Sequence, residues 1–328
     1  PMKKLLKVLG YLILFIVVAI GAFLTYLKTA LPNVGDAEDI KIEYTPERIE
    51  RGRYLANSVS VCMDCHSTRD WTKFSGPLTE GTLGQGGETF DQSFGFPGKY
   101  ISRNITPHGI SRYTDGELFR VITTGVNKEG EAMFPLMPYL YYGKMDPEDI
   151  YSIIAYVRTL EPIQKDWEKS THDFPFNFIV NTIPQKATPG KRPDKSDQLA
   201  YGAYLVNASG CIECHTQVEK GQIVKALAYS GGREFPMMGG AIVRSSNLTP
   251  DKETGIGVWT EDMFIQRFKI YADSSYTPET IAAGEFNTIM PWTMYATMER
   301  EDLAAIYAYL KTITPMKNAV TKFSAAAK

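Results

Sequence analysis

The chain has 328 residues, 44% of them apolar and 22% charged, with a formal net charge of −2. This is globular composition with length for about two domains, and it excludes a disordered chain. The near-neutral charge provides no basic field, which excludes a nucleic-acid partner.

Residues 1–32 read as a separate unit. Lys3, Lys4 and Lys7 precede an uncharged run from Val8 to Leu27, which would span roughly 30 Å as a helix, about one hydrocarbon core. A cleavable signal has a shorter apolar region and a small-x-small site, whereas Lys28, Thr29, Ala30, Leu31 and Pro32 follow here. The expectation is a retained single-pass anchor in membrane lipid. The lysines hold its N-terminal side in the cytoplasm and place everything after residue 32 across the membrane.

Beyond the anchor the chain repeats itself. "MPYLYYGKMDPEDIYSIIAYVRTL" (137–160) aligns without a gap to "MPWTMYATMEREDLAAIYAYLKTI" (290–313), and "RGRYLANSVSVCMDCH" (51–66) matches "YGAYLVNASGCIECH" (201–215). "SRNITP" (102–107) and "SSNLTP" (245–250) lie between. Two copies of one domain account for this, over 33–162 and 197–328, joined by a Pro-rich linker at 163–196. Its apolar island "FPFNFIV" is expected to pack across the interface between the domains.

Each copy reads as mainly helical. Thr45, Pro46 and Glu47 form an N-cap and first turn, and the helix they open is expected to run into the first cysteine. Each copy closes on an amphipathic helix, with Ile150, Ile153, Ile154 and Val157 matched by Leu303, Ile306, Tyr307 and Leu310 at i, i+3, i+4 and i+7. Gly52 and Gly202 let the opening helices approach a neighbour closely. The long Gly-rich loops between the helices require something else to fill the middle.

All four cysteines fall in two Cys-x-x-Cys-His motifs: Cys62, Cys65 and His66, and Cys211, Cys214 and His215. A structural zinc site would draw its two pairs from different repeats and leave both histidines idle. A thioredoxin-like pair would need a βαβ context that the helical pattern lacks. Covalent attachment of two c-type haems uses every cysteine and gives each histidine an iron to ligate.

Iron closed to substrate needs a sixth ligand. Only His108 and His172 remain, and both read as surface residues. Two methionine pairs recur, Met137 with Met290 and Met145 with Met298. With Asp146 as N-cap, Met145 is N′ and Ile150 is N4 of the closing helix, a hydrophobic staple that Met298 and Leu303 repeat. That leaves Met137 and Met290, each followed by proline outside the helix, as the axial ligands opposite His66 and His215. Met133 is a competitor in the first repeat alone.

The order of Gly-x-Tyr-Leu, Cys-x-x-Cys-His, Ser-Gly-Pro-Leu (75–78), Asn-Ile-Thr-Pro, Met-Pro and a closing helix ending in Ala-Tyr-Val-Arg-Thr-Leu resembles a class I cytochrome c domain. From residue 45 to 314 the chain is similar to membrane-anchored dihaem cytochromes c of bacterial respiratory chains. The resemblance implies haem domains on the periplasmic side of the inner membrane. It also implies that the Pro77 carbonyl accepts the second ring N–H of His66. Ser230, Gly231 and Gly232 match that stretch in the second repeat. Arg103, Asn104, Asn247 and Trp259 are either partners for haem propionates or turn and packing residues.

Methionine ligation raises the potential, and two six-coordinate haems leave no open iron. The expected function is therefore one-electron transfer, with no reaction catalysed by this chain itself. Its expected redox partners are a quinol-oxidising complex or dehydrogenase as donor and a terminal oxidase as acceptor. The Asn-Ile/Leu-Thr-Pro stretches also resemble the cytochrome subunits of periplasmic sugar and alcohol dehydrogenases, where three haem motifs are common and this chain has two. A dihaem peroxidase, with one displaceable haem, is a third reading.

Overall fold

The computed structural model describes residues 2–237, 239–282 and 284–326. The fold is mainly helical, with short strands added. Helix α1 (Met2–Thr29) carries the apolar run, and its side chains are exposed until its last turns, where Leu27 is buried. Among the described residues it is the one helix long and apolar enough to cross a membrane, a property that anchors and signal sequences share.

In the first repeat, α2 (Pro46–Tyr54) starts as expected, with Thr45 accepting from the Arg48 N–H and Pro46 at N1. It does not run into the cysteines. The helix widens over 55–59, Ser60 N–H closes on the Leu55 carbonyl, and Val61 turns left-handed at φ 40°. The chain then restarts as the single turn α3 (Cys62–Cys65). Helix α4 (Asp115–Thr124) opens on a capping box of Thr114 and Glu117. The turn α5 (Tyr139–Tyr142) follows Met137 and Pro138, and α6 (Pro147–Val157) is capped by Asp146. Met145 and Ile150 are both buried, as a staple requires. Helix α2 packs closely on α6, because a Cβ on Gly52 would stand 1.7 Å from the Ser152 carbonyl oxygen.

The stretch read as a Pro-rich linker begins as a strap on the first repeat. Trp167 Nε1 donates to the Gln85 carbonyl, and Asn104 Nδ2 donates to the Ile163 and Lys165 carbonyls. The apolar island does not lie between the repeats. It forms α7 (Phe176–Ile179) and the following turn, whose neighbours are the end of α1 and the strand at 171–172. Its partner is the end of α1, which sequence spacing alone did not disclose.

The second repeat has α8 (Gln198–Ala208), a left-handed Gly210 at φ 61°, the turn α9 (Cys211–Cys214), α10 (Glu261–Lys269), the turn α11 (Trp292–Tyr295) and α12 (Arg300–Leu310). A Cβ on Gly202 would meet the Ala305 carbonyl oxygen at 2.0 Å, so α8 packs on α12 as α2 packs on α6. Each repeat also carries a three-stranded antiparallel sheet in sequence order. The first is β1 (Thr89–Phe90), β2 (Gly98–Ile101) and β3 (Thr171–His172), and the second is β4 (Glu234–Pro236), β5 (Ile242–Arg244) and β6 (Phe323–Ser324). Residues 163–172 and 316–324 are thus the same closing strap.

The repeats meet reciprocally. The Tyr54 hydroxyl donates to Asp302 at 2.8 Å and the Tyr204 hydroxyl to Asp149 at 2.7 Å, while the same hydroxyls accept from the Glu299 and Asp146 N–H groups. Both carboxylates are buried. Arg51 forks onto Asp149 at 2.9 and 3.0 Å, and Lys195 reaches Asp302 at 3.1 Å. One buried apolar cluster, with Leu55, Ile154, Leu205 and Leu310 among its members, continues through both repeats.

Candidate functional site

A single helical turn places Cys62 and Cys65, and likewise Cys211 and Cys214, on one side of its axis. The first residue of each turn also fixes its histidine, since the His66 and His215 N–H groups close on the Cys62 and Cys211 carbonyls at 3.0 Å. The four cysteines form no disulfide.

Each histidine ring is held from behind. His66 Nδ1 donates to the Arg103 carbonyl at 2.7 Å, and His215 Nδ1 donates to the Ser246 carbonyl at 2.8 Å. This fixes the tautomer with the Nε2 lone pair free for a metal. Burial holds both rings' pKa below the usual value, which favours the neutral, ligating form.

The Pro77 carbonyl does not have the role that the resemblance implied. It accepts from the Asp70 N–H at 2.9 Å, inside a reversal closed by the pairing of Arg69 with Leu78. The structural counterpart of Ser230-Gly231-Gly232 is Gln85-Gly86-Gly87: the Gly86 and Gly231 N–H groups bond the His66 and His215 carbonyls at 2.9 and 2.8 Å. Residues 68–83 are a longer loop in the first repeat. The missed acceptors, Arg103 and Ser246, stand just before Asn104 and Asn247 of the repeated Asn-Ile/Leu-Thr-Pro stretches, so the repeat itself carried the signal. Asn104 and Asn247 hold the closing straps, and the Arg103 side chain donates to the Trp167 and Glu168 carbonyls.

Met137 and Met290 are half-buried at the start of their straps, whereas Met145 and Met298 are buried in the core. The long loop of the first repeat supports the second strap. Ser75 Oγ donates to the Met290 carbonyl at 2.6 Å and accepts from the Trp292 N–H at 3.0 Å, and the Ser75 N–H bonds Asn287 Oδ1 at 2.9 Å. Nothing in sequence spacing pointed to this contact. His172 was expected at the surface but is half-buried, with Nδ1 3.2 Å from the Tyr100 hydroxyl, and burial lowers its pKa.

Cys62, Cys65, His66, Met137, Cys211, Cys214, His215 and Met290 all line one continuous cavity of about 3330 Å³. A small-molecule pocket holds about 300–1,000 Å³, so this void has room for large groups in both repeats. The two sites adjoin. Burial raises the Tyr295 hydroxyl pKa well above its usual value, reinforced by Cys211 and Cys214 beside it and by Tyr142 and Asp64 of the first repeat. The Tyr142 and Tyr295 hydroxyls donate to the Ser60 and Ser209 carbonyls at 3.0 and 2.8 Å, pinning the Met-Pro straps to the segments entering the cysteine turns. Paired cysteines, a tautomer-fixed imidazole and a methionine lining the same large, mostly apolar cavity are a donor set that fits haem c. Among the described residues no three His, Cys, Asp or Glu side chains converge as a metal cluster.

No family model matches the chain. It is similar to the alcohol dehydrogenase (quinone) cytochrome c subunit of Gluconacetobacter polyoxogenes, 28% identical over 315 residues covering 90% of this chain and 61% of that protein. It is also similar to the gluconate 2-dehydrogenase cytochrome c subunit of Pantoea cypripedii, 27% identical with 84% and 62% covered. A diheme cytochrome c-type protein of Cereibacter sphaeroides is 28% identical, with 77% and 81% covered. The chain thus spans about three fifths of the length of the dehydrogenase subunits that it matches. These likenesses, with the paired cysteine–histidine turns, support a cytochrome c and electron transfer.

Proposed function

We propose that the chain is a membrane-anchored dihaem cytochrome c that carries single electrons on the periplasmic side of a bacterial inner membrane. In this reading α1 is a retained single-pass anchor and each repeat is a class I cytochrome c domain. The observation that carries it is the pair of equivalent Cys-x-x-Cys-His turns, each with its ring held by a backbone carbonyl, lining the same cavity as Met137 and Met290.

Cys62 and Cys65 would hold one haem c and Cys211 and Cys214 the other, with His66 and Met137, and His215 and Met290, as iron ligands. Haem iron supplies reversible one-electron exchange, at a potential that methionine ligation raises. The chain's own contribution is placement. The carbonyls of Arg103 and Ser246 keep each Nε2 unprotonated, the straps carry the thioethers, and Tyr142 and Tyr295 wall the sites. With His66 and Met137, and His215 and Met290, holding the iron, no position would be left for a substrate, which favours a carrier over a peroxidase.

The donor is a quinol-oxidising complex or dehydrogenase and the acceptor a terminal oxidase. The likeness to subunits named for alcohol, gluconate and fructose dehydrogenases favours a second reading, in which the chain is the electron outlet of a periplasmic sugar or alcohol dehydrogenase. Native protein purified from membranes in mild detergent distinguishes the two. Co-purification with an oxidase and fast reduction by quinol supports the respiratory carrier, whereas a dehydrogenase in the same fraction, with reduction only on adding its sugar or alcohol, supports the second. Rapid peroxide turnover would overturn both.

A further inference from the structure

We propose that Phe174–Ile179 is a second membrane contact, a lipid-facing strip lying in the interfacial layer beside the outer end of α1. It rests on the reading of α1 as a membrane span.

The segment is fixed at the level where the apolar run ends. Asn181 Nδ2 donates to the Leu27 carbonyl at 2.9 Å, one of the last carbonyls that a helix leaves unpaired. Leu27, Val180 and Asn181 are buried together, and the Lys28 ammonium stands 5.3 Å from the Phe178 ring centroid. On the inner side, Phe176 packs against Phe134 at 5.5 Å. On the outer side, Phe174 is 79% exposed and Ile179 is 45% exposed, with the Phe174 ring set edge-on to Phe178 at 6.4 Å.

This apolar face is continuous with the exposed side chains of α1, and it meets them where Lys28 ends the uncharged run. Rings and branched aliphatic side chains beside a cation are the chemistry that settles at a bilayer–water boundary. Lipid is therefore the occupant that the neighbouring surface specifies. Two attachments would stop the first repeat from swivelling about a single helix, and would fix which face it turns to the bilayer.

The test uses the full-length holoprotein in phosphatidylethanolamine–phosphatidylglycerol vesicles, with a lipid-soluble aryl diazirine photolysed in the bilayer and its adducts mapped by mass spectrometry. The expected result is labelling of both 8–27 and 174–179, the latter at least several-fold above Val258 and Met263, exposed apolar residues of the second repeat. Labelling of 8–27 with 174–179 no higher than Val258 and Met263 overturns the strip and leaves the anchor standing. No labelling of 8–27 overturns both. In the double variant F174S/I179S, whose side chains are largely exposed, trypsin should cut at Lys169 or Lys186 in vesicles several-fold faster, and an unchanged rate counts against the strip.

Discussion

The Ser75 hydroxyl of the first repeat donates to the Met290 carbonyl of the second at 2.6 Å. It also accepts from the Trp292 N–H, so one buried hydroxyl ties both ends of the methionine strap. The Met137 strap has no matching crossover hydroxyl among the described residues. Ser75→Ala removes both of these bonds and leaves the Met290 carbonyl and the Trp292 N–H only their 2.8 Å bond to each other, a cost of about 0.5–1.5 kcal/mol. In the proposed dihaem form, separate redox titration of the two sites should show the potential at the His215 site displaced and that at the His66 site unchanged. Equal displacement of both, or of neither, would reject a positioning role.

Met137→Ala and Met290→Ala should each change the spin or ligation state of one haem and leave the other's spectrum intact. Met145→Leu and Met298→Leu, volume-conserving changes in the core, should cost less than about 1.5 kcal/mol and leave both spectra unaltered. Reversal of these two patterns would exchange the roles assigned to the methionine pairs.

Tyr204→Phe and Tyr54→Phe each remove a hydroxyl donating to a buried carboxylate across the repeat boundary. A hydrogen bond to a charged group contributes about 1.5–3 kcal/mol, and each variant should lower the urea midpoint accordingly. Asp149 keeps the Arg51 fork and Arg192, whereas Asp302 keeps Lys195 and a longer bond from Tyr201, so Tyr54→Phe should cost at least as much as Tyr204→Phe, and the reverse order would mean that the reciprocity is only geometric.

Burial alone would raise the Asp149 carboxyl, but the Arg51 fork, Tyr204 and Arg192 outweigh it and hold its pKa below the ordinary value of about 3.9. Its stabilisation is therefore complete above that value and is lost as pH falls through about 4 toward the folded pKa. Asp149→Asn should be destabilised by about 1–3 kcal/mol at pH 7, because it takes the carboxylate from the half-buried Arg51 guanidinium, and should depend less on pH between about 5 and 3. Parallel pH curves for variant and parent would show that Asp149 is not the group responsible.

The elements with local causes were legible in the sequence. Thr45 and Asp146 cap where read, Gly52 and Gly202 stand against carbonyls, and Met145 is buried under its helix. The second ring partner of each histidine was not, because it depends on how a distant loop returns. Arg103 is 37 residues from His66, and Ser75 is 215 residues from Met290. The strands, two to four residues long, are too short to show a period of two. Val61 broke an otherwise helical pattern by turning left-handed, which a β-branched residue rarely does, so nothing in its identity announced the break.

The tyrosine–aspartate contacts make the boundary between the repeats isologous, with each half offering the patch that it receives, as the protomers of a two-fold dimer do. Joining two such protomers in one chain makes their pairing intramolecular, governed by an effective concentration rather than by cellular abundance. In a dimer of identical chains every change appears twice. Here the loop at 68–83 could lengthen in one half and reach across to the other's methionine strap while its counterpart stayed short, so that fusion turns a symmetric pair into two sites free to differ.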